Sequence, residues 1–327
     1  MKVKENKNAA QVEFFKLIKN VHSPHIPLAK RIAKVLNVGL DTAYRRIRGE
    51  YTMTFDEGIT LCKHFGISLD EMLYGIGKMK YSIVPFELKG IEGNFAFAQE
   101  LLEVTENIKR MAHGEIIMTA ADIPAFHFIA YKELTLFQMF SWYKNVYDHP
   151  GKYEEFAEKI DAEGLMQLLW KTHNNYLNIP SSEIWTDDTM TSILKLIRYH
   201  ADMKDFSDSK TPSLIYEQLF NMIEKLEEWI KRGSKGSKDI PYKFYINDLD
   251  IGNTFIYIKN KESSSCFFRL FTINGLNVKD KLFCDEVELW LNSIIKRSSL
   301  ISEISLRDRF KFITAQKQKI VDFANEV

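Results

Sequence analysis

The chain has 327 residues, of which 45% are hydrophobic and 13% aromatic, and its 44 basic and 44 acidic side chains leave no net charge. This length exceeds what one hydrophobic core usually organises, so we expect two or more domains, and the apolar content excludes a disordered chain. No stretch is long and apolar enough for a membrane-spanning helix, and the charged N-terminus lacks the apolar core of a signal peptide. The three cysteines are scattered. We therefore expect a reducing, cytoplasmic setting without a membrane partner.

Residues 9–74 predict four or five short helices joined by tight turns. A proline begins a helix because its missing N–H is not needed in the first turn, a glycine ends one, and Ser or Thr followed by Glu three residues later is a capping box. The residues that bound these helices are, in order, Pro27, Gly49, Thr54 with Glu57, Gly66, and Ser68 with Glu71 before Met72 and Leu73. We therefore expect an all-α N-terminal domain.

The second and third of these helices lie in IPLAKRIAKVLNVGLDTAYRRIRGE (residues 26–50) and have the pattern of a helix-turn-helix, whose second helix lies in the major groove of DNA. Ala33 provides the small residue needed where the two helices cross. Asn37 tolerates the left-handed backbone conformation that the turn often requires. At 100° per residue, Ala43 and Ile47 define the buried face of the third helix.

The other side of the third helix is basic. Three arginines within four positions repel one another unless an anion meets them, so we expect contact with DNA, and Arg45 is the best candidate for a bidentate contact with guanine. The predicted base contacts are Asp41, Thr42, Arg45 and Arg48, and the predicted phosphate contacts are Lys30, Lys34, Tyr44 and Arg46. A solvated basic helix in a small bundle is the alternative interpretation.

Charge is distributed unevenly along the chain. Residues 1–80 contain 14 Lys and Arg against 8 Asp and Glu, a net charge of +6, so the remaining 247 residues carry −6. A basic head on an acidic body suits a protein that binds a polyanion at one end. Many enzymes show a similar offset, so the charge by itself decides nothing.

The segment AYRRIRGE, together with SLDEML after the fourth helix, resembles a known family. Residues 9–74 resemble the lambda-repressor-like (Cro/C1, XRE-type) helix-turn-helix regulators, and most closely their BetR-type branch. The resemblance implies a five-helix DNA-binding domain that usually acts as a dimer on paired half-sites. Asn37 stands where these proteins commonly place glycine. DIPAFHFIAYKEL and RSSLISEIS loosely resemble larger bacterial one-component regulators, which implies no activity.

The rest of the chain mixes helices and strands. A helix over about residues 94–112 has apolar residues at three- and four-residue steps, which fits either packing on its own domain or a dimer seam. EIIMTA predicts one strand, and PYKFYINDLD, NTFIYIKN and SCFFRLFTI predict three more. Further helices are expected over residues 123–147, 153–176, 189–203, 214–229, 278–296 and 306–323. Between them, RGSKGSKD is interpreted as a flexible linker or loop.

The densest aromatic group lies between residues 126 and 143. Core packing explains most such clusters, because apolar aromatic side chains are buried by default. The alternative is a pocket for a small effector, oriented by the polar tips of His127, Tyr131 and Trp142. For His127, His173 and His200, which lie among aromatic residues, a hydrogen-bonded structural role is expected.

We expect no metal, cofactor or catalytic site. His22 and His25 flank a proline, but no second pair with ligand spacing lies nearby. Asp202, Asp205 and Asp208 lack the glycine and terminal glutamate of an EF-hand, so we expect a solvated acidic loop. GSKGSK lacks the spacing of a phosphate loop, and no nucleophile elbow or HExxH motif is present.

The sequence therefore predicts a multidomain protein: an all-α helix-turn-helix domain (residues 1–77), a connector with a candidate dimerisation helix (78–113) and a larger α+β domain with a short antiparallel sheet (114–327). The predicted function is sequence-specific DNA binding in transcriptional regulation, by a homodimer that binds double-stranded DNA and responds to a small-molecule or protein effector. The alternative is an interaction scaffold whose helical head binds protein. An enzyme carried to DNA by the head has no motif in its support.

Overall fold

The computed structural model describes residues 8–21, 26–67, 93–147, 151–161, 164–249, 251–261, 263–271 and 274–326. The chain divides into two compact units, Met1–Tyr81 and Ser82–Val327. The predicted boundary at residue 77, the fifth helix predicted around Met72, and both His22 and His25 lie outside the described residues.

The described part of the first unit is helical. Its four helices are α1 (Ala9–Val21), α2 (Leu28–Val35), α3 (Leu40–Ile47) and α4 (Phe55–Phe65), and residues 8–21 and 26–67 contain no strand. Apolar side chains from all four helices form one core, which includes Phe14, Phe15, Ile18, Ile32, Ala43 and Leu61. Ala43 is fully buried and Ile47 packs against the same core, as the helical wheel predicts.

Three helices of this unit, among them α4 with Gly66 (φ 65°), end in a Schellman turn, in which a residue of left-handed backbone follows the helix. Asn37 (φ 51°) takes that position after α2, and Gly49 (φ 74°) takes it after α3. The N–H of Glu50 then donates to the carbonyl of Arg45 at 2.9 Å, which closes the turn after α3. The left-handed Asn37 and the stop at Gly49 are therefore confirmed.

The second unit contains nine described helices and eight strands. In chain order these are α5 (Gly93–Arg110), β1 (Glu115–Ala120), α6 (Ala125–Phe128), α7 (Lys132–Tyr147), α8 (Tyr153–Asp161), α9 (Leu165–Tyr176), β2 (Ser181–Trp185), α10 (Thr191–Asp202), α11 (Thr211–Arg232), β3 (Ser234–Lys235), β4 (Ile240–Ile246), β5 (Phe255–Lys259), β6 (Ser264–Phe271), β7 (Asn274–Val278), α12 (Lys281–Arg297), β8 (Ser299–Leu300) and α13 (Leu306–Asn325). The four predicted strands correspond to β1, β4, β5 and β6. None of the described helices of the chain has an apolar run long enough to cross a bilayer.

The strands form one mixed sheet in the order β3-β4-β2-β1-β5-β6-β7, with β8 beside β4. β1, β2 and β4 are parallel, whereas β5, β6 and β7 are antiparallel. The prediction of a short antiparallel sheet is therefore wrong. The central strand β2 was not predicted, because SSEIW has no alternation of polar and apolar residues. The connections before and after β2 contain helices and are long enough to return the chain parallel to its neighbours.

Side chains alternate between the two faces of this sheet, and helices cover both faces. On one face Met118 and Trp185 join a large core formed with α5 to α11 and α13. On the other face Ile117 and Ile184 pack in a smaller core with Leu291 of α12. The central strands are thus buried on both sides, and a polar side chain placed on them is removed from water.

Helix α5 packs on α9 inside the second unit. Ala98 and Ile108 are buried in the large core. Asn175 Nδ2 donates to Thr105 Oγ1 at 3.3 Å, and Lys109 Nζ donates to Asn175 Oδ1 at 2.7 Å. These contacts favour the interpretation of residues 94–112 as a helix packed on its own domain over a dimer seam.

Candidate functional site

Helix α3 presents most of the predicted base-contact side chains to solvent. Asp41 is exposed, and the side chains of Arg45 and Arg48 are 45% and 55% exposed. Thr42 is half-buried beside them. The predicted phosphate contacts Tyr44 on α3, and Lys30 and Lys34 on α2, are also exposed. This surface, which we call the basic face, is accessible to a ligand.

A carboxylate lies against the arginines of the basic face. Arg48 Nε and Nη2 donate to the two oxygens of Glu50 at 2.7 and 3.1 Å, and Arg45 Nε lies 3.9 Å from the same carboxylate. The hydrogen bond from Arg48 lowers the pKa of Glu50, so this side chain is ionised at neutral pH. The guanidinium of Arg45 also stacks over the ring of Tyr51, at 4.9 Å from its centroid. Glu50 therefore occupies donors that a guanine base would need.

If the basic face binds DNA as the sequence predicts, replacing Glu50 with glutamine is expected to strengthen this binding by roughly twofold to tenfold, because one phosphate-repelling charge and one competitor for the arginines are removed. Fluorescence anisotropy with a labelled duplex measures the change. Glu13→Gln is the matched control, since Glu13 is an exposed carboxylate of α1 that pairs with Lys16. Weaker binding by the Glu50 variant would mean that this carboxylate holds the arginines in the orientation that contacts DNA.

Arg46 does not belong to the basic face. Its side chain is 11% exposed, and Nη2 lies 2.7 Å from Glu57 Oε1 on α4. Arg46 follows the fully buried Ala43 by three residues, so the two lie on the same side of α3. The predicted contact of Arg46 with phosphate is therefore wrong, because its guanidinium is turned inward and holds α3 against α4.

The carboxylate that binds Arg46 also caps α4. Glu57 Oε2 accepts from the N–H of Thr54 at 2.9 Å, and Thr54 Oγ1 accepts from the N–H of Glu57 at 3.2 Å. The predicted capping box is thus confirmed, as is the stop at Gly66, whose φ is 65°. On the other side, Gln11 Nε2 of α1 donates to the carbonyl of Arg46 at 2.7 Å. Contacts from α1 and α4 fix the orientation of α3 and of its basic face.

The second unit encloses a cavity of about 390 Å³, which we call the α11 cavity. Its walls come from α6, α9, α11 and the turn after β3. His127 and Tyr131, two of the three residues predicted for an effector pocket, line it. Trp142 does not, and instead packs edge-on against Phe97 and Phe128 with ring centroids 6.1 and 6.2 Å apart. The assignment of Trp142 to the pocket is therefore wrong.

Beneath His127 lies a buried glutamate that sequence reasoning missed. Glu183 on β2 is fully buried and accepts hydrogen bonds from His127 Nε2 at 2.8 Å, from Trp185 Nε1 at 2.8 Å and from the Tyr176 hydroxyl. Burial raises the pKa of Glu183, but the neighbouring His127, Tyr176 and Lys235 lower it by more, so the net direction is down. An ionised carboxylate in the core therefore fixes the His127 ring. The sequence SSEIW, with two serines before Glu183, has no pattern that marks this carboxylate as buried.

Lys235 is the second ionisable group buried here. Its Nζ donates to Ser181 Oγ at 2.7 Å and lies 3.0 Å from the centroid of the Tyr176 ring. Burial lowers the pKa of Lys235 well below its ordinary value. RGSKGSKD, predicted as a flexible linker or loop, is not a linker, because Ser234 and Lys235 pair with β4 as strand β3 and residues 236–239 form the turn between the two strands.

A separate buried network surrounds His200. Its Nδ1 lies 2.8 Å from Asp205 Oδ2 and its Nε2 lies 3.0 Å from Ser141 Oγ, while Lys144 Nζ lies 2.5 Å from Asp205 Oδ1. The expected hydrogen-bonded role of His200 is confirmed. The expected solvated loop is wrong for Asp205, which is 5% exposed, because the end of α10 turns it inward. Asp202 and Asp208, the other two carboxylates, are exposed as expected.

His173 is held by one nitrogen at the α11 cavity. Its Nδ1 lies 2.8 Å from the carbonyl oxygen of Phe126, which only accepts, so Nδ1 carries the proton. Burial lowers the pKa of His173 from 6.5 to about 4. The ring is therefore neutral at pH 7, and the expected hydrogen-bonded role is confirmed.

This lowered pKa gives a testable pH dependence. Between pH 6.5 and 4 the unfolded chain binds a proton at His173 that the folded chain does not, so stability is lost as the pH falls through this window. The loss from this residue is roughly 2 to 3 kcal/mol at pH 4.5. His173→Asn, which keeps a donor for Phe126, is expected to lose that much less stability than the wild type between pH 7 and pH 4.5. Urea unfolding followed by tryptophan fluorescence measures the difference.

The exposed His113 provides the control, because His113→Asn should leave the pH dependence unchanged. An identical pH dependence for wild type and His173→Asn would show that His173 titrates normally in the folded protein.

Within the described part of the chain, no three His, Cys, Asp or Glu side chains are grouped to hold a metal ion. No protein-family model, curated protein or solved structure matches this chain.

Proposed function

We propose that this protein binds duplex DNA in a sequence-specific manner through the basic face of α3 and regulates transcription. One observation carries the proposal. Arg45 and Arg48 are exposed on a short helix whose orientation is fixed by buried contacts from α1 and α4. A guanidinium on a fixed helix is suited to bidentate recognition of guanine, which needs geometry as well as charge.

The side chains of the basic face have different roles in this proposal. Arg45 and Arg48 read guanine edges, and Asp41 and Thr42 contact neighbouring bases. Lys30, Lys34 and Tyr44 contact phosphates, which position the protein without carrying sequence information. Arg46 acts within the fold, through its ion pair with Glu57.

We further propose that the protein acts as a cytoplasmic homodimer, with the second unit sensing an effector, dimerising, or both. The size of Ser82–Val327 supports a role beyond connecting two heads. Cys62, Cys266 and Cys284 are free thiols, which suits a reducing compartment. In a dimer, two basic faces would contact half-sites about one helical turn apart on the DNA.

The test is selection of duplexes from a random DNA pool by the full-length protein. We expect an inverted pair of half-sites about 10 base pairs apart, and an affinity that falls with salt with a log–log slope of about −0.9 for each phosphate contacted. Failure to enrich any sequence, with no salt-dependent binding of duplex DNA, would contradict the proposal.

The second candidate function is a protein-interaction scaffold. It is favoured by the exposed apolar side chains Leu40 and Phe55 of the head, which are 42% and 72% exposed. A head that binds protein through these side chains would show little dependence on salt, which distinguishes it from a DNA-binding head.

A further inference from the structure

The α11 cavity has the size of a small-molecule site. Its volume of about 390 Å³ falls within the range of roughly 300 to 1,000 Å³ that is usual for ligand pockets. His127, His173 and Tyr131 are among its lining residues, as are Trp229, Lys225 and Arg232 of α11. The cavity thus combines imidazoles, an aromatic surface and two basic side chains.

Each of the two imidazoles has one nitrogen committed to the protein. His127 Nε2 donates to the buried carboxylate of Glu183, and His173 Nδ1 donates to the carbonyl of Phe126. Among the described residues, His127 Nδ1 and His173 Nε2 have no hydrogen-bond partner. Since the ring of His173 is neutral at pH 7, its Nε2 is an acceptor. A ligand that carries an N–H or O–H group satisfies it.

The wall between these imidazoles is flat. The Trp229 ring centroid lies 5.7 Å from that of His127 and 6.2 Å from that of His173, with interplanar angles of 37° and 28°. Met222 also lines the cavity. These contacts leave Trp229 only 3% exposed, so the aromatic surface open to a ligand is that of the half-buried Tyr131 and His173. This surface favours a planar ring, because stacked rings gain contact over their whole faces.

The charged side chains that line the cavity are basic. Arg232 Nη2 donates to the carbonyls of Ser234 and Gly236 at 3.3 and 3.2 Å, which holds the guanidinium in place. Among the described residues no carboxylate lines the cavity, and Glu228, which interacts electrostatically with Arg232, has Lys225 as its ion-pair partner. Lys225 adds a second positive charge, although Glu228 pairs with it at 2.6 Å. A carboxylate or phosphate group is therefore the complement of this side of the cavity.

We propose that the α11 cavity binds a small organic anion with a planar ring. The ring packs against the half-buried Tyr131, an N–H or O–H group of the ring donates to His173 Nε2, and the anionic group pairs with Arg232. Nucleoside monophosphates and aromatic carboxylates share this chemistry. The inference is independent of DNA binding, because it concerns the second unit alone.

The test is isothermal titration calorimetry of the full-length protein without DNA. The probes are guanosine 5′-monophosphate, 4-hydroxybenzoate and indole-3-carboxylate, and the comparison compounds are guanosine, which lacks the anion, and ribose 5-phosphate, which lacks the planar ring. We expect at least one probe to bind one site per chain with a Kd below about 1 mM, and about tenfold more tightly than the comparison compounds. The identity of the binding probe separates a nucleotide from an aromatic acid.

Two variants locate the site. Arg232→Gln is expected to weaken binding of the anionic probe about tenfold, and His173→Asn is expected to weaken it several-fold while retaining the donor to Phe126. The exposed Lys195 of α10 provides a control of equal charge change, Lys195→Gln, which should bind as the wild type does. Thermal melts at pH 7 verify that each variant is folded.

The proposal would be overturned if no probe shows saturable binding up to about 1 mM, a concentration that corresponds to a binding free energy of about −4 kcal/mol. It would equally be overturned if a probe binds but the Arg232 and His173 variants bind it as the wild type does, because the ligand then lies elsewhere. Neither outcome affects the proposal for α3.

Discussion

Replacing Arg45 and Arg48 together with alanine is expected to abolish sequence-specific DNA binding by this protein. Each bidentate contact between arginine and guanine contributes about 1–3 kcal/mol of discrimination, so the loss of two should lower the affinity for the selected duplex by roughly 100-fold or more. Residual binding should be weak, salt-dependent and indifferent to sequence, because the proposed phosphate contacts of Lys30 and Lys34 on α2 are unchanged in this variant. Anisotropy titrations with the selected duplex and a scrambled duplex measure the specific and the residual affinity.

The control for this prediction removes the same charge from another helix. Lys16 and Lys19 lie exposed on α1, and their double alanine variant should lose only the general electrostatic attraction. Neither pair of substitutions should unfold the head, since Arg45 and Arg48 pair only with the exposed Glu50 among the described residues. If the Arg45, Arg48 variant still enriches the same half-sites, α3 is not the reading helix.

Replacing Glu183 with alanine is expected to destabilise the second unit by about 3–5 kcal/mol, as when one partner of a buried ion pair is removed. The donors of His127, Tyr176 and Trp185 would then be left without their acceptor in the core. Lys235, which is also fully buried, would lose the nearest compensating charge. Among the substitutions considered for this protein, this one should cost the most stability.

Urea unfolding followed by tryptophan fluorescence measures this loss without interference from the head, because all five tryptophans lie in the second unit. Glu158→Ala, at an exposed position of α8, is the matched control and should change the unfolding free energy by less than about 0.5 kcal/mol. Glu183→Gln should fall between the two, since an amide oxygen still accepts hydrogen bonds. A Glu183→Ala variant as stable as the control would show that the buried hydrogen bonds contribute no net stability.

The charged groups of α3 and those around Glu183 are paired in different ways. On α3 the exposed Arg45 and Arg48 have the exposed Glu50 as their ion-pair partner among the described residues, so a ligand can replace that carboxylate at little cost. Around Glu183 the charges are removed from water, so each depends on its partners. Burial is what separates a side chain that can change partners from one that cannot.

Much of the local structure was predictable from the sequence, because local signals act within a few residues. Asn37 and Gly49 favour left-handed backbone, and Thr54 with Glu57 forms a capping box whatever the rest of the chain does. The three- and four-residue spacing of apolar residues in the helices is also a local signal, and so is the pattern of apolar residues in β1, β4, β5 and β6. Ala43 and the exposed arginines followed from a helical wheel for the same reason.

The candidate sites were predictable only in part. His127 and Tyr131 were identified as polar tips in an aromatic cluster, but Glu183 was not, because its partners lie far from it in sequence. Arg46 was assigned to phosphate because a helical wheel gives a direction and not a partner, and Glu57 of the next helix supplied that partner. The burial of Lys235 was likewise hidden in a Gly- and Ser-rich stretch.

What the sequence determined by itself is therefore the position of most helices, caps and turns, and the basic face of α3. These depend on backbone preferences and side-chain periodicity over a few residues. Residues 123–147 and 153–176, each predicted as one helix, contain two helices each. The tertiary structure alone decided the parallel centre of the sheet, the inward turn of Arg46 and the meeting of Glu183, His127 and Lys235 beneath the α11 cavity. Those features depend on which segments, distant in sequence, pack together and bury one another. Burial between distant segments leaves no periodic pattern in the sequence.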